Sequence, residues 1–214
     1  MNAAGHSHPS GRNPSRRIYL LRHGAIQAPD RERRYIGQQD LPLNDEGLRQ
    51  ARAWSAYFAQ ARPDALYCSD LARCRETARL IGRRCALEPE PRPELREVAL
   101  GEWEGQTFAA VKTRDPGAFQ ARGKHIADHR PPAGESFRDL EQRVWPFFQA
   151  TARQGPPRSL LVTHAGVMRV LLSRLLGMPL ENLFAIGLAY GTLSIVDVRP
   201  SGYRLQALNL PAPA

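Results

Sequence analysis

Short apolar runs alternate along this chain with longer stretches of helical periodicity, a pattern that restricts it to βα units wrapped around a mostly parallel sheet. Ile18–Leu21 is the first strand. Asn44 caps a helix whose apolar positions are Leu48, Ala51, Trp54, Ala56 and Phe58. Ala65–Cys68 is a second strand, and Ser69 is placed to cap a helix through Leu71, Thr77 and Leu80 that ends near Gly82. Leu87–Glu90 reads as a short third strand. From Thr113 to Pro132 the chain carries Gly, Pro and charges with little periodicity, which predicts an irregular excursion over the surface, of the kind that covers a site. Ser136 with Asp139 three residues later is a capping box, opening a helix through Leu140, Val144, Phe147 and Phe148 in which Pro146 is placed to introduce a kink. Ser159–Thr163 is a buried strand, Val167–Leu176 an apolar helix ended by Gly177, and Leu193–Val198 another strand. The expected class is α/β, a three-layer α/β/α sandwich around a mostly parallel central sheet.

A chain of 214 residues is long enough for one well-buried core and short for two. One domain is therefore expected over residues 18–214. Residues 1–17, MNAAGHSHPSGRNPSRR, are polar and aperiodic and read as a disordered basic tail. They lack the apolar stretch of a secretory signal, and no later run is long and apolar enough to span a bilayer, so a soluble protein is expected. Cys68, Cys74 and Cys85 are odd in number and form no CxxC pair, which argues against a disulfide framework or a zinc site and for a reducing cytoplasm. The formal charge of +9 is compatible with nucleic acid, an anionic membrane or small phosphorylated substrates. Arg12, Arg16 and Arg17 carry part of it in the tail, and the remaining arginines are scattered among Glu and Asp. No lysine-rich block or basic aromatic stripe suggests a nucleic-acid groove. The partner expected is a small phosphate monoester, with neither nucleic acid nor membrane.

Two places share one layout. The strand IYLL runs into Arg22-His23-Gly24, and the strand LLVT runs into His164-Ala165-Gly166 at the start of a helix. In a parallel α/β sheet ligands bind beyond the carboxyl ends of the strands, where helix N-termini point backbone N–H groups at anions. A third strand, ALYC, leads to Arg73 one turn into its helix. Two histidines and two arginines can thus converge on one pocket. A transferring phosphoryl group suits them, because its transition state spreads charge over three oxygens that guanidinium donors match in pairs. Imidazole can attack phosphorus if a hydrogen bond fixes the proton on its other nitrogen. Glu97, in LREVALGEWEG, is the candidate general acid: a carboxyl partly withdrawn from water can deliver a proton to the leaving oxygen.

These residues resemble the histidine phosphatase superfamily, also called the phosphoglycerate-mutase-like fold. The resemblance covers nearly everything after the tail, through LLRHG at 20–24, YIGQQDLPLNDEG at 35–47, SDLARCRETA at 69–78, LREVALGEWEG at 95–105 and VTHAGVMRVLL at 162–172. It implies that His23 is phosphorylated in turnover. It also implies that Arg22, Arg73 and His164 grip the phosphoryl group, that Glu97 protonates the leaving alkoxide and later activates water, and that no metal or other cofactor takes part. Gly24, Tyr35, Gly37, Gln38 and Ala165 are the candidate substrate contacts. The YIGQQDLPLNDEG and LREVALGEWEG segments look most like the α-ribazole phosphatase branch, which removes a 5′-phosphate from a nucleoside-like precursor of the cobalamin lower ligand. A broad sugar or nucleotide phosphatase is the alternative. The short interval from Glu97 to His164 disfavours a mutase-type phosphotransferase, and the complete set of five groups disfavours a non-catalytic phospholigand-binding module. After RHG the chain departs from the family pattern with Ala25 and Ile26.

Each residue also has a plainer reading. His23 could be satisfied by backbone at a strand end, His164 could cap its helix, and Arg73 could pair with Glu76 for a few tenths of a kcal/mol. His125 and His129 read as surface residues of the excursion, Cys74 as a small buried residue and Trp103 as packing.

Overall fold

The computed structural model describes residues 16–213. Six strands form one mixed sheet in the order β3-β2-β4-β1-β5-β6. They are β1 (Arg16–Arg22), β2 (Ala65–Cys68), β3 (Glu90–Pro91), β4 (Arg158–Thr163), β5 (Leu193–Arg199) and β6 (Gly202–Leu210). The pairs β1·β4, β2·β4 and β2·β3 are parallel, whereas β5 runs antiparallel to β1 and β6. Side chains alternate across a strand, and β1 sends its residues into two cores. Ile18 and Leu20 pack with Leu161, Val144, Phe148 and Val167 on one face, while Tyr19 and Leu21 pack with Trp54, Phe58, Cys74 and Ile81 on the other. Helices α1 (Asp45–Ala61) and α2 (Ala72–Cys85) cover the second face, and α5 (Phe137–Gln154) and α6 (Ala165–Leu175) the first. This is the expected three-layer sandwich.

The local signals explain most boundaries. The Asn44 side chain accepts from Gly47 N at 2.9 Å and starts α1, and the Ser136–Asp139 capping box is present at α5, which continues through the exposed Pro146.

Other boundaries differ. β1 begins at Arg16, because Arg17 pairs with Asp197 at 2.7 Å and its N–H donates to Pro157. Arg16 and Arg17 thus belong to the sheet, and the rest of the expected tail lies outside the described residues. The third strand is only Glu90–Pro91, since flanking prolines remove ladder donors. Helix α2 passes Gly82 and stops at Cys85, with Ala86 left-handed; Leu71, not Ser69, holds its N-cap position. Helix α6 starts at Ala165, two residues before the expected start. The segment read as irregular contains α3 (Phe108–Arg114) and α4 (Pro116–Lys124), capped by Thr107 and Asp115. Only Arg122 of α4 is buried, so α4 leaves no apolar stripe in the sequence. Strand β6, half-buried and at the sheet edge, lies beyond the last strand expected from the sequence.

Candidate active site

Register builds the site. β1 and β4 pair with Arg22 opposite Thr163, so the next residues, His23 and His164, leave the sheet side by side, with ring centroids 5.1 Å apart. His23 N donates to Thr163 O at 3.0 Å and Ser69 N to Val162 O at 2.9 Å, which brings the end of β2 to the same point. Gly24 is required by close approach: a Cβ there would lie 2.4 Å from Gly47 O, where the first turn of α1 crosses the His23 loop. Gly24 therefore packs chain against chain and does not line the cleft.

Both histidines have assigned tautomers. His23 Nδ1 lies 2.8 Å from Gly24 O. A carbonyl only accepts, so Nδ1 carries the proton and Nε2 keeps the lone pair. Arg73 Nε donates to His164 Nδ1 at 3.3 Å, which leaves the His164 proton on Nε2, 2.9 Å from Ser69 Oγ. Burial pushes His23 well below the ordinary histidine range, and Arg22 and Arg73 push it further. Burial likewise depresses His164, helped by His23 and Arg73. Both rings are consequently neutral near neutral pH, the form in which imidazole attacks phosphorus.

Arg73 is 1% exposed and, among the described residues, pairs with no acid. Its Nη1 and Nη2 donate to Gln39 O at 2.6 Å and Gly37 O at 2.8 Å, while Glu76 pairs with Arg79. Arg22 lies 3.7 Å over the Tyr190 ring and donates to Leu188 O at 2.7 Å; its Nε is buried without a partner. Burial lowers the Arg22 pKa. Such orphaned donors are what an oxyanion would satisfy. Across the cleft, Glu97 Oε1 accepts from Val98 N and Oε2 from Gly166 N, both at 3.0 Å, so the first turn of α6 fixes the carboxyl.

These groups open into a cleft of about 400 Å³. Arg22, His23, Arg73 and Glu97 line it, as do the aromatic rings of Tyr35, Phe108, Phe119, Phe137, Phe184 and Tyr190, whereas His164, fully buried, does not. Of the expected substrate contacts, Tyr35, Gly37 and Ala165 line it. Gln38 instead donates from Nε2 to Glu97 O at 3.0 Å and so supports the acid from behind. His129 is packed against Trp103. The sequence did not reveal Ser69 as the partner of His164, Tyr190 as the platform under Arg22, or Arg34, Arg122 and Arg169 on the wall. Ser69 carried a usable signal, a hydroxyl at a strand end beside the motif. Tyr190 carried none, because only tertiary folding brings its loop to His23.

The model of the histidine phosphatase superfamily, branch 1, matches residues 18–211. The chain belongs to that superfamily. Among curated relatives, the adenosylcobalamin/alpha-ribazole phosphatase of Escherichia coli is 31% identical over 194 residues, covering 90% of this chain and 95% of that one. A glucosyl-3-phosphoglycerate phosphatase of Mycolicibacterium vanbaalenii is 34% identical over 180 residues, 80% of this chain and 79% of that one. Among solved structures, a putative alpha-ribazole-5′-P phosphatase from Escherichia coli superposes with a TM-score of 0.85 at 30% identity, covering 94% of this chain and 98% of that one.

This histidine phosphatase is thus a phosphoric monoester hydrolase with the phosphoglycerate-mutase-like fold. Among the described residues no group of three or more His, Cys, Asp or Glu is gathered as metal ligands, and no helix is long and apolar enough to cross a membrane. Gly166 offers a direct probe of the phosphatase. A Cβ there would lie 2.2 Å from Glu97 Oε1. Gly166→Ala is expected to displace the carboxyl and to lower kcat/KM for an alkyl phosphate by about 100-fold, the scale of a misplacement near 1 Å. Steady-state assays alongside a melting curve that moves little would bear this out; unchanged kinetics would show that the carboxyl position is immaterial.

Proposed function

We propose that the enzyme hydrolyses its substrate in two displacements at His23. In the first, Nε2 attacks phosphorus, the bond from phosphorus to the leaving oxygen breaks, and Glu97 gives that oxygen its proton. In the second, water attacks the phosphohistidine, Glu97 takes the proton from the water, and the P–N bond breaks to return neutral His23 and inorganic phosphate. Arg22 and Arg73 hold the equatorial oxygens throughout. Both ring nitrogens of His164 are engaged, Nδ1 by Arg73 Nε and Nε2 with Ser69 Oγ, so His164 serves the phosphoryl group by holding Arg73 in place. The observation that carries the reading is a neutral, tautomer-fixed imidazole between two guanidinium groups that have no acidic partner among the described residues.

For the leaving group we infer a nucleoside-like 5′-phosphate, with α-ribazole 5′-phosphate as the first candidate. The aromatic wall supports an apolar, planar moiety, and the name of the Escherichia coli relative points the same way. One observation favours a second reading, a phosphorylated sugar acid. Arg122 lines the cleft and is 8% exposed, and its guanidinium sits among Tyr35, Trp103 and Phe137. Its Nη1 has no partner, and among the described residues no carboxylate pairs with it. A buried unpaired cation is costly and favours an anionic ligand. The three cysteines, unpaired in the structure, are compatible with a reducing cytoplasm.

The test is phosphate release from α-ribazole 5′-phosphate, ribose 5-phosphate, nucleotides and 3-phosphoglycerate. A preference of 100-fold or more in kcat/KM for the ribazole compound over ribose 5-phosphate, about 2.7 kcal/mol of transition-state binding, supports the first reading. A lead for 3-phosphoglycerate that disappears in Arg122→Met supports the second. A flat profile removes both and leaves a broad phosphatase.

A further inference from the structure

Glu97 stands in a stretch with little regular structure of its own. After a single 3-10 turn at Pro93–Leu95, residues 96–100 are neither helix nor strand. A proton donor needs placement to a fraction of an ångström, so something outside the stretch must supply it. Beside Gln38 and the first turn of α6, donors come from α5. Arg143 Nη1 donates to Glu94 O at 2.8 Å, Arg96 O at 3.1 Å and Pro93 O at 3.3 Å, and Nη2 to Glu97 O at 3.2 Å. Four carbonyls of the acid-bearing segment thus meet one guanidinium. Arg143 is itself held by Glu135, with Nε to Oε1 at 2.9 Å and Nη2 to Oε2 at 2.8 Å. Glu135 then grips the other side of Glu97: its Oε2 accepts from Ala99 N at 3.0 Å, and its N–H donates to Ala99 O at 2.7 Å.

We propose that Arg143 and Glu135 are positioning residues for the general acid, a clamp that closes on the backbone to either side of Glu97 and sets where its carboxyl meets the leaving oxygen. Neither residue lines the cleft. An ion pair whose side chains are 23% and 24% exposed contributes modestly to stability, whereas the planar five-donor fork suits several carbonyls at once in a way that lysine does not. The inference rests on Glu97 as proton donor.

The experiment compares two substrates, glycerol 3-phosphate, whose alkoxide must be protonated on leaving, and 2,4-dinitrophenyl phosphate, whose leaving group needs no proton. The readout is kcat/KM, which reports the phosphorylation step. Arg143→Gln and Arg143→Lys are each expected to lose about 30-fold or more on glycerol 3-phosphate and less than about threefold on the dinitrophenyl ester. Glu135→Gln, the milder change, should lose about fivefold with the same selectivity, and it serves as the test if Arg143→Gln does not fold. In a Glu97→Gln background, Arg143→Gln should add no further selective loss. Equal losses on both substrates, additive losses in that background, or no loss would overturn the clamp. If Glu97→Gln itself affects both substrates alike, the proton-donor reading has failed; if it is selective and the clamp variants are not, only the clamp has failed.

Discussion

His23→Ala is expected to lower phosphate release by at least about 10⁴-fold on every substrate the enzyme accepts, the scale on which loss of a catalytic nucleophile is felt. The ring is 4% exposed, its Nδ1–H is held by Gly24 O, and its neighbours keep it unprotonated, so its Nε2 carries the lone pair on which the proposed attack depends. His23→Asn is the more demanding control, because its amide can still donate to Gly24 O while offering no nucleophilic nitrogen. Both variants should also lose the acid-labile covalent label that wild type acquires from a ³²P-labelled substrate during rapid quenching. Substantial turnover by either variant would show direct attack of water and would remove the phosphohistidine from the reaction. Retained label in the variants would move the nucleophile to another residue.

This prediction rests on strand ends, which are legible in the sequence alone. An apolar run that stops at Arg-His-Gly places the histidine at the carboxyl edge of a parallel sheet, and the register Arg22–Thr163 shows that the second run stops level with the first. Periodicity carried the helices that bury an apolar stripe, α1, α2, α5 and α6, in the same way. What stayed hidden has a common physical cause. Helices α3 and α4 turn few side chains inward: Val111 of α3 joins the core, while Phe108, Phe119 and Arg122 line the cleft, so no 3.6-residue stripe marks them. Strand β6 is a half-buried edge strand that does alternate, with Tyr203, Leu205 and Ala207 against Arg204 and Gln206, but the pattern breaks at Leu208-Asn209-Leu210, where Leu208 and Leu210 are exposed. Ser69 matched a capping rule at a strand-to-helix junction, yet its hydroxyl faces His164, because the helix begins two residues later than that rule placed it. Local rules read which backbone groups need partners; they do not read that a tertiary neighbour has already claimed the side chain.

Arg73 is where electrostatics and geometry can be separated. Arg73→Gln removes the donor proposed to hold the phosphoryl group, which should lower kcat/KM by about 10²–10³-fold at neutral pH. It also removes a positive neighbour that depresses His23 and His164. The sign follows directly: with Arg73 gone, the His23 pKa rises towards 6.5, the protonated ring cannot attack, and activity is lost as pH falls through that raised value. Wild type, whose His23 titrates well below 6.5, keeps the neutral nucleophile into more acidic solution. The acid limb of kcat/KM, a property of the free enzyme, should therefore move to higher pH in Arg73→Gln relative to wild type on the same substrate, so that ionisation of the substrate phosphate cancels from the comparison. Arg73→Lys keeps the charge but cannot reach Gly37 O, Gln39 O and His164 Nδ1 together. It should share the loss in rate and leave the acid limb close to that of wild type. A limb that moves equally in both variants, or towards lower pH in Arg73→Gln, would mean that burial alone keeps His23 neutral and that the guanidinium acts only as a grip on the phosphoryl oxygens.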